Sequence, residues 1–403
     1  MSWFRLFLPF AGAYFLSYHF RTINAVVGPI LSNELSLGAA DLGLLTSTYF
    51  VAFGATQLPL GLLLDRYGAR KIEAGLLLFA AAGSAIFAAS TSIDGLALGR
   101  GLIGLGVSAC LMASFKAFSQ WVAPEKLAAM TGWIMTAGTL GAFASTAPLD
   151  IALSWLTWRE VFWLLAGITF LVSAWVFVSV PEKPGTQKPE SMAILWTGLK
   201  EVLRSAHFWR IAPIGFAQIG GFMAIQSLWS SAWLMQVNSF SRSQAADHLA
   251  AMSIAMIFAY VLIGLVSTRL AKRGISPRML LAGALGLALT TLIAIVAEAS
   301  EHHYVLWIVY GAFSSFGTLS YSVLASDFPN TLSGRVNTTY NLLSFAGAFA
   351  FQWAMGLMID GLRAAGHSGA SAHRYAFIML IACQLAAWLW FISGFRQARG
   401  KSN

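Results

Sequence analysis

The sequence predicts an all-α integral membrane protein: twelve transmembrane helices in two pseudo-symmetric bundles of six, with both termini in the cytoplasm. Three observations predict it. Of the 403 residues 58% are hydrophobic and 10% are charged, against about a quarter charged in an ordinary soluble domain. Apolar runs of about 20 residues, long enough to cross a ~30 Å hydrocarbon core as helix, recur along almost the whole chain. Cations alternate between the two sets of loops: 18 lie on the side of the termini, and four, Arg159, Arg242, Arg363 and Arg374, lie on the other. Cations accumulate on the cytoplasmic side of membrane proteins, so this split fixes the orientation.

The expected spans, in order, are 6 to 31, 43 to 64, 74 to 91, 95 to 121, 128 to 153, 158 to 180, 209 to 236, 246 to 268, 278 to 298, 303 to 326, 334 to 362 and 374 to 395. They are too long and too evenly apolar for alternating barrel strands, and backbone groups in lipid must be satisfied within the segment, so each is helical. Span 1 carries Arg21 and lacks a small-residue cleavage site after a short apolar core, which sets it apart from a removable signal peptide. The net charge of +9 then reports topology and attraction to anionic lipid, and a nucleic-acid partner is not required. Cys110 and Cys383 fall within helices and are expected as free thiols.

Between spans 6 and 7 lies the longest polar stretch, 180 to 210, with three prolines and five bases. It divides the chain into a first bundle, 1 to 180, a linker, 181 to 208, and a second bundle, 209 to 403. The second half echoes the first at a spacing of about 200 residues, as in transporters built from repeated bundles. "GLLLDRYGARK" (61 to 71) is echoed by "GLVSTRLAKRG" (264 to 274), and "GAFA" occurs at 141 to 144 and at 347 to 350. Asp150 and Asp360 follow near the outer ends of spans 5 and 11.

Away from the span ends only Arg21, Arg100 and Lys116 are basic, and no acid lies near the middle of any span. A charge at depth costs several kcal/mol and points to a functional interior. Tyr14, Tyr18 and Arg21 follow at i, i+4 and i+7, on one helix face. Two phenols and a guanidinium, with His19 beside them, form a cradle for a carboxylate or other oxyanion, since Arg offers bidentate donors. An arginine bonded to backbone carbonyls is the alternative. Arg100 and Lys116 are too far apart on one straight helix to aim at one point, and Lys116 could simply snorkel to the head groups. Span 7 adds Gln218, Phe222, Gln226, Trp229 and Trp233 as one stripe, span 10 adds Tyr321, and span 11 adds Asn337, Tyr340 and Asn341. Amides are costly against lipid, so these are expected to line a cavity or a helix seam.

The residues now carry a family resemblance. Gly61, Asp65, Arg66, Gly68, Arg70 and Lys71 match the loop signature of the major facilitator superfamily between helices 2 and 3. Leu96, Arg100, Gly104 and Gly106 match its helix 4 signature. The resemblance implies a secondary active transporter working by rocker-switch alternating access. Asp65 would then meet the start of helix 11 near Ser333 and Gly334, where free amides favour an anion, and latch the halves in the outward-open state. Gly61 would allow close helix approach and Gly68 a tight reversal. Thr268 replaces the acid in the second-half echo, so the latch should be asymmetric.

Segments 20 to 50 and 116 to 133 resemble anion:cation symporter and nitrate-porter-like members. Nitrate itself is disfavoured, because the matching arginines on helices 2 and 8 are missing. The expected cargo is a small organic anion, carboxylate-like, carried with protons by His19, Asp150, Asp360 or the cargo itself. The alternative is a multidrug/proton antiporter exporting amphipathic compounds, although Pro148 lacks the glycine context such antiporters show on helix 5. No paired acids or clustered histidines suggest an enzyme, a metal or a cofactor. A monomer in a bacterial cytoplasmic membrane is expected.

Overall fold

The computed structural model describes residues 3 to 181, 192 to 298, 301 to 329 and 332 to 399. Every regular element among them is helical. The chain runs through α1 (Trp3–Thr22), α2 (Asn24–Leu35), α3 (Ala39–Tyr67) and α4 (Ala69–Ala89). It continues through α5 (Ile93–Trp121), α6 (Pro124–Ala144), α7 (Ala147–Ala152) and α8 (Trp158–Ser179). A short α9 (Met192–Arg204) leads to α10 (Ala206–Gln236), α11 (Arg242–Ala271) and α12 (Pro277–Val296). α13 (His303–Ala325), α14 (Ser333–Ala364) and α15 (Gly369–Arg399) complete the chain. Among the described residues nine helices are long and apolar enough to cross a membrane, and ten when α3 is counted across its bend.

The irregularities have local causes. α3 turns by 57° between Ala39–Gln57 and Pro59–Tyr67, because Pro59 offers no N–H and crowds the preceding turn. Gly68 ends α3 and starts α4 at φ +82°, a backbone state that an L side chain resists. The reversal in "DRYGAR" is therefore written by one glycine.

The repeated "GAFA" also gains a physical meaning. A Cβ on Gly141 would collide with the backbone of Phe15 on α1, and one on Gly347 with the backbone of Phe216 on α10. Each half thus presses a glycine of its fifth helix directly onto the main chain of its first. Two apolar cores result. One gathers residues mainly from Leu6 to Val180, and the other mainly from Val202 to Phe391.

The two halves meet along α3 and α14, which run antiparallel. Gly43 faces the backbone of Gln352 and Trp353, Gly356 faces Ala39 and Ala40, and Gly54 faces Phe345. Gly61 corrects an expectation: nothing lies within 4 Å of where its Cβ would stand. Beyond the bend at Pro59 the helix diverges, so the close approach falls at Gly43, Gly54 and Gly356 instead.

Leucine at Gly141 or Gly347 should therefore overpack a helix seam and lower stability by about 1–3 kcal/mol, read as a drop in melting temperature in detergent. Gly61→Ala should leave it unchanged or slightly higher.

Candidate functional site

The site is built around Arg21, one residue before the end of α1. It is 6% exposed, and its guanidinium carbon sits 4.4 Å from the Tyr18 ring, 5.4 Å from Phe53 and 5.6 Å from Phe345. Tyr14 and Tyr18 meet edge to face at 5.1 Å, as their four-residue spacing demands. Among the described residues no carboxylate pairs with Arg21, and its Nε has no partner. The ring faces and the Tyr49 hydroxyl offset part of the charge, and the Nε donor is left for something else.

Arg100 stands behind this group. It is fully buried, donates to the Phe20 carbonyl at 2.8 Å, and lies 5.2 Å from the Tyr49 ring. Its Nε and one terminal nitrogen have no partner. Tyr49 donates to the Ser17 carbonyl at 3.1 Å, so this phenol joins α3 to the arginines of α1 and α5.

The second half supplies the opposite wall. Tyr321 donates to Asn341 Oδ1 at 2.7 Å, Asn341 donates to Gln57 Oε1 at 3.4 Å, and Gln57 donates to the Ser108 carbonyl at 3.2 Å. This chain of bonds crosses from one bundle to the other at the level of Arg21. Tyr260 and Tyr321 are close enough to Tyr18 and Arg21 to interact electrostatically. Five phenols from both halves, Tyr14, Tyr18, Tyr49, Tyr260 and Tyr321, therefore lie around one cation.

Other residues singled out in the sequence stand apart. His19 turns toward α6, its Nδ1 3.3 Å from the Gly141 carbonyl, and stacks on Phe15. Gln218 donates to the Gln384 carbonyl on α15, and Gln226 donates to Met256 sulfur on α11. Trp229 lines a cavity of about 150 Å³ at the end of the bundle remote from the termini, together with Asn33, Gln236, Arg363 and His373. Tyr340 is buried against Gly215, and Asn337 is half-buried with its Oδ1 unbonded. The expected single stripe on span 7 is thus dispersed, for a structural reason. α10 contains π-helical turns at Ile214–Ile219 and Ile225–Trp229, and each wide turn rotates the following residues away from a 3.6-residue face.

The expected latch residue Asp65 pairs instead with Lys116 at 2.5 Å, within its own half. Gly334 is exposed and nothing lies within 4 Å of where its Cβ would be, and the side chain of Ser333 lies outside the described residues. Arg66 rests over Tyr67 and Arg70 over Phe177, while Lys71 is solvent-exposed on the first turn of α4. Among the described residues, the carboxylate contacts that join the halves lie at the opposite end. Asp360 accepts from the amides of Ala39 at 3.1 Å and Ala40 at 2.7 Å, where the unpaired N–H groups of a helix start favour an anion. Arg242 Nε donates to Asp150 Oδ1 at 2.6 Å. The two ties repeat one another: in each half an acid at the end of the fifth helix reaches the start of the other half's second helix. Within single halves, Glu34 binds Arg159 and Trp158, and Glu298 binds Arg374. The Trp158 indole, then Arg159, hold the Glu34 carboxyl below its usual range.

A family model described as the Major Facilitator Superfamily matches residues 10–352. The chain belongs to this superfamily. It is a multi-pass integral membrane protein of all-helical superfamily fold, and its relatives are transporters rather than enzymes. It is 22% identical over 274 residues to a probable sulfoacetate transporter of Cupriavidus necator, covering 64% of each chain. It is 28% identical to a chloramphenicol resistance protein of Pseudomonas aeruginosa, over 66% of this chain and 64% of that one. A hexuronate transporter of Escherichia coli is 24% identical over 53% of this chain and 52% of its own. The match thus spans just under two thirds, or about half, of these relatives. Among solved structures, an inward-facing, unoccupied bacterial homologue of the lysosomal transporter Spinster superposes with a TM-score of 0.79 at 19% identity, covering 98% of both chains. A D-xylose-proton symporter gives 0.75 at 15% identity, over 97% of this chain and of that one.

Removing both ties, in the double variant Asp150→Asn with Asp360→Asn, should loosen the end remote from the termini. A cysteine placed at Ala232, on the cavity wall, should then react several-fold faster with a membrane-impermeant maleimide in a Cys383→Ser background; an unchanged rate would show that the ties do not hold that end closed.

Proposed function

We propose that the protein is a secondary active transporter that carries a small organic anion, a carboxylate or sulfonate, together with a proton, by alternating access. The observation that carries this reading is the buried Arg21, ringed by phenols from both halves and lacking an acidic partner among the described residues. Such a site rewards an oxyanion with charge-assisted, bidentate hydrogen bonds in a low-dielectric setting. An organic cation would add a second uncompensated charge. Relatives named for sulfoacetate, hexuronate and galacturonate support the anionic class.

Joining α1 to α2 and α6 to α7 across their short breaks brings the spans to twelve, divided 1 to 180 and 209 to 403 about the linker. The excess of cations on the terminal side orients that side to the cytoplasm of a bacterial inner membrane. The ties at Asp150 and Asp360 then close the outer face, and the separation of Asp65 from the start of α14 opens the inner one. In the opposite state Asp65 would leave Lys116 for the helix start, while the outer ties part. Arg21 anchors the cargo throughout, and Arg100 holds Tyr49 behind it.

A second reading, export of amphipathic drugs against protons, draws on the relative named for chloramphenicol resistance and on the aromatic walls of the site. The two readings separate on Arg21. In proteoliposomes offered radiolabelled galacturonate or sulfoacetate, Arg21→Ala should lower uptake about 10- to 100-fold, as expected for losing a charged hydrogen bond of about 1.5–3 kcal/mol. Expression, insertion and melting temperature should stay normal. Wild-type rates in Arg21→Ala would remove the anion assignment, and Arg21-independent efflux of chloramphenicol would favour the second reading.

A further inference from the structure

One buried acid has no place in the scheme above. Glu73 sits four residues into α4 and is 0% exposed. Both of its carboxylate oxygens lack a hydrogen-bond partner among the nitrogen and oxygen groups of the described residues.

Its surroundings are nearly free of charge. From α5 the buried Cys110 thiol faces it, Lys116 is engaged with Asp65, and Arg100 points to Phe20 and Tyr49. From α8 come Ser173, bonded to the Ala74 carbonyl, and Phe177; beyond Glu160 that helix has no titratable side chain. From α3, Asp65 faces Lys116 and Arg66 lies over Tyr67. On its own helix Arg70 lies over Phe177, and Lys71 is exposed.

The acid is nevertheless connected to the central site. Cys110 faces the Ser17 hydroxyl on α1, which also bonds the Val107 carbonyl at 3.4 Å. The Ser17 carbonyl accepts the Tyr49 hydroxyl, and Tyr49 interacts with Arg21. A file of polar groups thus runs from Glu73 to the anion anchor through an otherwise apolar bundle. Around it α4 and α5 are sealed by glycines: a Cβ on Gly83 or Gly99 would come within 2.9 Å of the other helix's backbone.

We propose that Glu73 is the proton-binding site of the carrier, and that its protonation is linked to anion binding at Arg21 through Cys110, Ser17 and Tyr49. This rests on the proton-coupled reading above. The step is a simple association: one proton adds to a carboxylate oxygen of Glu73 and leaves from it again, with no other bond made or broken. Among the described residues an ionised carboxylate here would meet no cation, only the Cys110 thiol, so the packing seen here suits the neutral acid. Releasing the proton requires water to enter between α4 and α5, near the terminal end that the scheme leaves open. Anion on Arg21 and proton on Glu73 travel together, so a monovalent cargo moves without net charge.

The test uses Glu73→Gln, which mimics the neutral acid, in proteoliposomes with whichever of galacturonate and sulfoacetate the wild type takes up. A pH gradient of one unit should drive about tenfold accumulation by wild type, since one unit is worth 1.36 kcal/mol per proton. Glu73→Gln should show none, while exchanging labelled for unlabelled anion at the wild-type rate. At an alkaline pH, where Glu73 has released its proton, purified wild type in weak buffer should also take up protons when the anion is added, and Glu73→Gln should not. Gradient-driven accumulation by Glu73→Gln overturns the proposal. So does joint loss of exchange and accumulation in a variant of normal melting temperature, which would make Glu73 purely structural. If wild-type accumulation ignores the pH gradient, the proton-coupled reading itself fails and the proposal falls with it.

Discussion

A guanidinium held in an apolar bundle without an acid beside it is the constraint from which the rest of the structure follows. Placing a charge at such depth costs about 3 kcal/mol or more, and the protein keeps two of them, Arg21 and Arg100, within reach of one phenol. Ring faces and a single carbonyl offset part of the cost. On the proposed reading, what is left over is a demand for an anion, met when the site is occupied. Everything around it controls when that occupant can arrive and leave: the aromatic walls, the bonds crossing from Asn341 to Gln57, and the ties at the bundle's ends.

In the proposed mechanism the ties let two similar halves work as a two-state machine. Acids at Asp150 and Asp360 occupy corresponding places in the two halves, and each reaches the start of a helix in the other. One finds an arginine and the other finds bare amides, so duplication preserved the geometry while the chemistry diverged. At the terminal end Asp65 has a partner at home in Lys116. In the proposed cycle that local pair would give the acid somewhere to go when the halves separate, so the inner face would open without leaving a carboxylate stranded.

Much of this was legible in the sequence, because it is written locally. Helical periodicity brings Tyr14, Tyr18 and Arg21 to one face, and α1 keeps that periodicity. Loop cations and the "GAFA" repeat are likewise short-range signals. The stripe on α10 was misread because two π-helical turns break the period that the reading relied on. Tyr260, Gln57 and Glu73 were missed for another reason: Tyr260 and Gln57 sit in apolar runs and Glu73 beside a charged loop, and the significance of each comes from partners on distant segments. Glu73 also fell one residue outside the expected third span, which the structure extends back to Ala69. Gly61 carried a signature, but beyond the bend at Pro59 nothing packs where its Cβ would stand, and no pattern of residue types encodes that.

The central claim is that the anion sits on Arg21, and a structure of the protein with bound galacturonate or sulfoacetate tests it most directly. The account predicts the oxyanion within about 2.7–2.9 Å of the Arg21 guanidinium nitrogens, with the Tyr18 and Tyr321 rings against its body. An anion bound instead in the end cavity beside Arg363 and His373, with Arg21 still facing only its aromatic rings, would contradict it.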